Sequence, residues 1–185
     1  MFVVEDFIGD SKVGEVVKLE SNGNDLFTLW ILRAFLSVFV PVSTGGTVSF
    51  TALDDTGASR TFKMKFSVAG TFSHIFNTYA CSHFVRVRFG RDSTPPSRTN
   101  FRLLQETYVD VNTRISLNED AGYILIEGTA IFPSDTTVCE VGLSLGATVS
   151  SYNVCGEFLI DRTVLDPCRT VPANTPYVVR YRLQV

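Results

Sequence analysis

The residues best suited to catalysis are one serine that lies between two glycines and the chain's two histidines. Residues 142–146 read Gly-Leu-Ser-Leu-Gly and match G-x-S-x-G, a pattern that holds a nucleophilic serine at a strand-to-helix turn. That chemistry needs a histidine later in the chain, but His74 and His83 both precede Ser144. The chain order therefore argues against a hydrolase. A strand that ends in a glycine turn is the simpler interpretation.

Carboxylate and metal chemistry have equally little support. Glu140 and Glu157 fall on neighbouring predicted strands, but a glycosidase also needs sugar-binding aromatic side chains in an ordered arrangement, which the sequence does not offer. Residues 54–57, Asp-Asp-Thr-Gly, supply oxygen ligands without the longer ligand spacing of a calcium loop, so a hairpin turn is expected there. We therefore expect no enzymatic activity, no catalytic residue, no cofactor and no metal.

A local group of arginines suggests contact with another molecule. Arg86 and Arg88 share one face of a predicted strand, and Arg91 and Arg98 follow in the next loop. They could contact phosphate groups, lie on a solvated face or pair across a subunit boundary. The net charge of −3 and the pI near 5.4 argue against a general polyanion binder. We expect no nucleic-acid partner and name Arg86, Arg88 and Arg91 as interface candidates.

The four cysteines contain no C-x-x-C pair, and their spacings of 58, 16 and 13 residues match no zinc pattern. They are Cys81, Cys139, Cys155 and Cys168. Reduced core thiols are the expectation, because the N-terminus does not resemble a secretion signal. A disulfide is the alternative in a particle exposed outside the cell or in a hyperthermophile cytosol. If one forms, we expect Cys139–Cys155, since both residues flank one hairpin loop.

The elements that must position these residues are mostly strands. Alternating hydrophobic residues between turn signals predict a single domain over residues 1–185, folded as an antiparallel, jelly-roll-like β-sandwich. Residues 90–99 are the one candidate boundary within this domain, because Pro95-Pro96 excludes both a helix and the hydrogen-bonded pairing of a β-strand. The predicted strands are 13–19, 47–53, 60–66, 82–89, 107–117, 123–132, 138–145, 158–165 and 177–185.

One apolar run, residues 26–42, stands apart from this pattern. We predict a packed helix over residues 25–39, although Phe, Trp, Ile and Val would also suit two strands. The run is short for a membrane span and carries Arg33 near its middle, so we expect no membrane insertion. Fifteen phenylalanines indicate either an aromatic core or a surface covered by a partner. The interface candidates in this run are Leu26, Phe27, Trp30 and Phe35.

Several segments in the second half resemble virion structural proteins of tailed phages and archaeal viruses. Residues 88–106 are similar to that family's linker G-x-G-x-x-x-P-S-x-T-D-x-x-L-x-x-E, although Asp92 stands where a second glycine or a threonine is common. Residues 138–144 (VCEVGLS), 159–164 (LIDRTV) and 171–183 are similar to the strands that follow it. Cys139 and Cys155 are atypical of the family. The matching linker positions are Gly90, Pro96, Ser97, Thr99, Leu103 and Glu106.

The resemblance implies a structural part of a virus particle, such as a vertex or turret, decoration, or tail or fibre protein. It implies assembly in the host cytoplasm, a final location in the virion, and contacts with identical copies and with other virion proteins. Symmetry favours a closed trimer or ring of the identical copies. It carries no catalytic residue over. A β-sandwich module that binds a host receptor or a glycan is the alternative function.

Overall fold

The described part of the chain is all-β. The computed structural model describes residues 2–18, 47–65, 85–97, 99–110, 112–118, 121–149 and 154–184. Within these ranges the chain forms eleven strands in two antiparallel sheets and contains no helix. The helix predicted over residues 25–39 lies outside the described residues and stays a prediction. None of the described elements is a helix long and apolar enough to cross a membrane.

Five strands form the first sheet, sheet A, in the order β2-β1-β11-β8-β7. The N-terminal strand β1 pairs with the C-terminal strand β11, which brings the two ends of the described chain together. The bounds are Phe2–Ile8 for β1, Ser11–Lys18 for β2, Arg114–Asn118 for β7, Tyr123–Ile131 for β8 and Pro176–Gln184 for β11.

Sheet B is organised around the long strand β9. Strand β10 runs antiparallel along one edge of β9, and β5 and β4 share the other edge, with β6 beyond β5 and β3 beyond β4. The bounds are Thr47–Leu53 for β3, Ser59–Lys65 for β4, Val85–Gly90 for β5, Glu106–Asp110 for β6, Thr136–Val149 for β9 and Val154–Val171 for β10.

The two sheets bury one shared hydrophobic core. Phe89 of sheet B packs edge-on against Tyr177 of sheet A, with ring centroids 5.8 Å apart. Gly128 lets the sheets approach, because a Cβ built at this position would lie 2.3 Å from Cβ of Val87. Alternate residues of the central strands point into this core, as the predicted period of two requires.

The segment predicted as one strand over residues 107–117 is two strands, so that prediction was wrong. Strand β6 belongs to sheet B and β7 to sheet A, and Asp110 fixes the corner between them. Its carboxylate accepts the backbone N–H of Thr129 at 2.7 Å and that of Asn112 at 2.8 Å. A buried aspartate that satisfies two backbone donors explains why the chain turns here.

The first strand, β1, was missed because its inward face is not uniformly apolar. Asp6 pairs in register with the buried Val179 and is itself 1% exposed. An acidic residue at an inward position breaks the alternation on which the sequence prediction relied. Burial of this carboxylate is tolerable because it pairs with Arg169 of β10, which is far away in the sequence.

Strands β9 and β10 are joined by a disulfide, but between a different pair of cysteines from the one predicted. Cys139 is bonded to Cys168, with Cα atoms 4.3 Å apart, so the expected Cys139–Cys155 bridge is wrong. The expectation that the thiols are reduced is also wrong for Cys139 and Cys168. The prediction failed because the ladder has a bulge between Val164 and Arg169, which brings the far end of β10 over Cys139.

Candidate functional site

The polar residues singled out in the sequence meet on the outer face of sheet B. Because Val87 and Phe89 point into the core, Arg86, Arg88 and Gly90 point to the opposite face. The register places these three positions beside Ser144, Gly142 and Glu140 of β9, respectively. The residues of the G-x-S-x-G match and the arginine group are therefore direct neighbours in the structure.

A loop covers this face. It consists of residues 91–97 and 99–105, between β5 and β6, and we call it the covering loop. Leu103 is its anchor, because this side chain is 2% exposed and lies over Gly142. A Cβ built on Gly142 would come within 2.8 Å of Leu103 Cδ2, so glycine at this position leaves the space that Leu103 fills.

One buried ion pair holds both halves of the covering loop. Arg162 Nε donates to Glu140 Oε2 at 2.7 Å, and the two side chains are 1% and 0% exposed. The remaining guanidinium nitrogens of Arg162 donate to the carbonyl of Thr94 at 2.9 Å and to Asp92 Oδ1 at 3.1 Å. We call the Glu140–Arg162 pair and its contacts the clasp.

The other half of the covering loop is held by the carboxylate of the clasp. Glu140 accepts the backbone N–H of Gln105 at 2.8 Å and that of Leu104 at 3.3 Å. Gly90 makes room for this carboxylate, since a Cβ there would lie 2.4 Å from Glu140 Oε1 and 2.8 Å from the Gln105 carbonyl oxygen. Both charges of the pair are thus matched by hydrogen bonds, as burial of an ion pair requires.

A hydrogen bond within its own turn positions the Asp92 carboxylate beside Arg162. Its carboxylate accepts the backbone N–H of Thr94 at 2.7 Å. Hydrogen bonds from the side chain and backbone of Thr94, together with the positive charge of Arg162, hold the pKa of Asp92 below its ordinary value. Asp92 therefore remains an anion where the guanidinium of Arg162 needs one.

A second buried cluster forms around Glu157, next to the clasp. Arg86 donates to Glu157 Oε2 at 2.8 Å, and Arg88 Nε donates to Glu157 Oε1 at 3.0 Å and to Ser144 Oγ at 2.9 Å. Arg88 also forms an ion pair with Glu106, at the end of the covering loop. Burial alone would lower the pKa of Arg88, but the charges of Glu157 and Glu106 and their hydrogen bonds raise it above its ordinary value.

Ser144 contributes to this cluster as a hydrogen-bonding residue. It is 1% exposed, and its hydroxyl donates to Glu157 while accepting from Arg88. The shallow depression beside it, lined in part by Phe101 and Arg102, leaves no room for a water molecule. His74 and His83 lie outside the described residues. The observed contacts of Ser144 are those of a side chain that fixes charged neighbours.

A third group of charged side chains connects the two sheets. Arg169 of β10 donates from Nε to Asp6 Oδ2 of β1 at 2.6 Å, and the Tyr177 hydroxyl donates to the same oxygen at 3.0 Å. Burial and the adjacent Asp6 carboxylate raise the pKa of Tyr177, which therefore stays a neutral donor. Gly14 lies opposite Asp6, and a Cβ there would overlap Arg169 at 2.0 Å.

In the oxygen-rich turn at residues 54–57, the carboxylate oxygens of Asp54 already accept hydrogen bonds from neighbouring residues. Asp54 accepts the backbone N–H groups of Thr56 at 3.0 Å and Ala58 at 2.9 Å, and pairs with Arg60 at 2.9 Å. Burial would raise the pKa of Asp54, but these bonds outweigh it and hold the pKa below its ordinary value. Across the described ranges, no group of three or more His, Cys, Asp or Glu side chains is placed to hold a metal ion.

The interface candidates separate into three groups. Arg86 and Arg88 take part in intramolecular ion pairs, and Arg88 is buried, so little of it is left for a partner. Arg91 is exposed at the start of the covering loop, where its backbone N–H donates to the Gln105 carbonyl at 3.0 Å. The remaining candidates lie outside the described residues: Leu26, Phe27, Trp30 and Phe35.

Sequence reasoning missed the partners of these charges. Arg162, Asp6 and Arg169 were not singled out, because each occupies a strand position at which the pattern offers no sign of a partner. The sequence shows only that Glu140 and Arg162 stand within the strand segments VCEVGLS and FLIDRTVL, without any sign that the two side chains pair.

Comparison with known proteins gives no relative: no family model, no curated protein and no solved structure matches this chain.

Proposed function

We propose that the chain is a jelly-roll-like β-sandwich that serves as a structural component of a virus particle. Its place would be a vertex or turret, a decoration site, or a tail or fibre. It would act by self-assembly into a trimer or ring and by docking to other virion proteins. No chemical transformation is part of this role.

The observation that supports the proposal most is the clasp. Three of the segments that resemble virion proteins, separated by tens of residues, supply its parts: Gly90, Glu140 and Arg162. Asp92, which departs from the family's pattern, adds a second anion for Arg162. Their charged groups are directed at one another and at the backbone of the covering loop. Residues used in this way hold a scaffold in one shape, which suits a building block.

Exposed apolar side chains supply a means of association. Ile115 on the edge strand β7 is 57% exposed, Ile131 at the end of β8 is 52% exposed, and Leu104 on the covering loop is 46% exposed. Interfaces between stable subunits bury more than about 1,000 Å² in total, and each apolar Å² contributes roughly 25 cal/mol before the cost of association. A symmetric assembly would use the same patch on every copy.

The test is the mass and shape of the purified full chain, measured by size-exclusion chromatography with light scattering and by negative-stain electron microscopy. We expect a closed oligomer, and we expect at least one of Leu104→Lys, Ile115→Lys and Ile131→Lys to convert it to a monomer without changing its unfolding curve. Thr137→Lys, also at an exposed strand position, is the matched control and should leave the oligomer intact.

A monomer at the highest soluble concentration would overturn self-assembly. Binding of that monomer to a defined sugar on a glycan array would then support the receptor- or glycan-binding module instead. An oligomer that survives all three lysine substitutions would refute the assignment of these apolar residues to the interface.

A further inference from the structure

The disulfide occupies the one gap in the pairing of β9 with the second half of β10. Backbone pairing stops at Val164, opposite Glu140, and resumes at Arg169, opposite Val138. Between these points the β10 chain bulges, and the Cys139–Cys168 bond is the covalent link across the gap. Local pairing therefore contributes least where the disulfide is placed.

Each cysteine is the chain neighbour of a charged residue that holds a different element: the Glu140 side chain is fully buried, and that of Arg169 is 10% exposed. Cys139 precedes Glu140, whose carboxylate binds the Leu104 and Gln105 amides of the covering loop. Cys168 precedes Arg169, which binds Asp6 of sheet A. The disulfide and the clasp are thus only one peptide unit apart in β9.

We propose that the Cys139–Cys168 disulfide is a redox-sensitive switch that controls whether the covering loop stays closed over sheet B. In the oxidised chain the bond fixes Glu140 beneath the loop. In the reduced chain the bulge relaxes, Glu140 loses its fixed position, and the loop opens over the Glu157 cluster. The inference concerns the regulation of the loop and does not rest on the proposed role in a virus particle.

A small thiol of the glutathione class is the reductant. Its thiolate attacks the Cys168 sulfur, which is the more accessible because Cys168 is half-buried whereas Cys139 is 6% exposed. The S–S bond breaks, and Cys139 leaves as a thiolate and takes up a proton. A second thiolate then attacks the sulfur of the small thiol in the mixed disulfide, which releases Cys168 as a thiolate and yields the oxidised dimer of the small thiol.

The switch would respond to the difference between an oxidising exterior and a reducing cytosol. In the reduced state, the charged groups beneath the loop, including Arg88 and Glu157, become accessible to a partner. In the oxidised state they are buried. This gives one chain two different surfaces without any change in its sequence.

Hydrogen exchange of the full chain, read by mass spectrometry with and without dithiothreitol, tests the proposal. Alkylation and peptide mapping report which cysteines are reduced. We expect the peptide containing Leu104 and Gln105 to exchange at least about tenfold faster after reduction, because these amides lose their bonds to Glu140. The peptide covering β8, which contacts neither cysteine's neighbouring charge, is the internal control and should be unchanged.

A variant removes any dependence on the reductant. Cys139→Ser/Cys168→Ser keeps Cys81 and Cys155 and should show the fast exchange of Leu104 and Gln105 without dithiothreitol. If that variant does not fold, reduction of the native chain still decides the question. The proposal is overturned if the bond resists dithiothreitol in the folded chain or if these two amides exchange as before. Equal acceleration across all peptides, β8 included, would also overturn it, because the bond would then support only global stability.

Discussion

Removing the arginine of the clasp should be among the most destabilising single changes in the described part of the chain. Arg162→Met keeps most of the side-chain volume but leaves the Glu140 carboxylate, which is 0% exposed, without its cation. It also removes the donors to Thr94 and Asp92. Breaking a buried ion pair on one side costs about 3–5 kcal/mol. For a domain of this size the melting temperature should fall by roughly 6–20 °C.

The chain contains a matched control for this change. Arg180 Nε donates to Glu127 Oε2 at 2.7 Å, the same distance as in the clasp, but the two side chains are 40% and 22% exposed. An exposed pair contributes about 0.2–1 kcal/mol, and the stacking of Arg180 on the Phe7 ring adds roughly 0.5–1 kcal/mol. Arg180→Met should therefore cost about 2 kcal/mol at most.

Urea unfolding followed by circular dichroism measures the free energy of unfolding of both variants. The dependence of this free energy on urea concentration should be the same for each variant. Glu140→Gln/Arg162→Met completes the comparison, because a neutral amide still accepts the Gln105 N–H but leaves no buried charge. We expect this double variant to be more stable than Arg162→Met alone. The reasoning fails if Arg162→Met is no more destabilising than Arg180→Met, or if the double variant is the least stable of the set.

Three further outcomes follow from the described contacts. Gly90→Ala should lower the free energy of unfolding by about 1–3 kcal/mol in the same urea assay, because the added methyl overlaps Glu140 Oε1; an unchanged midpoint would contradict that geometry. Below about pH 4 the hairpin β3–β4 should lose stability, because the depressed pKa of Asp54 stabilises the fold above its unfolded pKa and this contribution disappears as the carboxylate protonates; hydrogen exchange against pH should show less acid dependence in Asp54→Asn. Tyr177→Phe should cost about 1–2 kcal/mol, since Asp6 loses a buried donor, and a neutral result in thermal unfolding would show that Arg169 alone suffices.

Strand periodicity made much of the fold predictable. Strand β3 was predicted with its observed bounds, and β8 and β11 were predicted to within one residue at each end. These strands have clean alternation or clear turn residues at both ends. The pattern failed where a charge points inward, at Asp6 in β1, and where a strand leaves one sheet for the other, at Asp110. In both places a long-range partner decides the local structure, and a single sequence does not display such partners.

The candidate site was predictable in its parts and not in its assembly. The residue types of the arginine group, Ser144, Glu140 and Glu157 are visible in the sequence, but taken one by one they suggest only phosphate binding or catalysis. Their actual relation depends on the register of β5 with β9, which pairs Arg86 with Ser144 and Gly90 with Glu140. A shift of one residue would send these charges into the core. Register is a tertiary property, so residue types alone could not reveal that these groups satisfy one another.

The clasp also explains why charges were retained where apolar side chains could pack. Well-packed apolar residues can replace a buried ion pair at little cost in stability, so stability alone does not account for Glu140 and Arg162. An apolar substitute, however, could not satisfy the Leu104 and Gln105 amides or the Thr94 carbonyl, which the covering loop presents to sheet B. Hydrogen bonds have direction, and these fix the loop in one position over the sheet. The pair therefore specifies where the loop lies. Gly90 and Gly142 leave the space that this arrangement requires, because a side chain at either position would overlap Glu140 or Leu103.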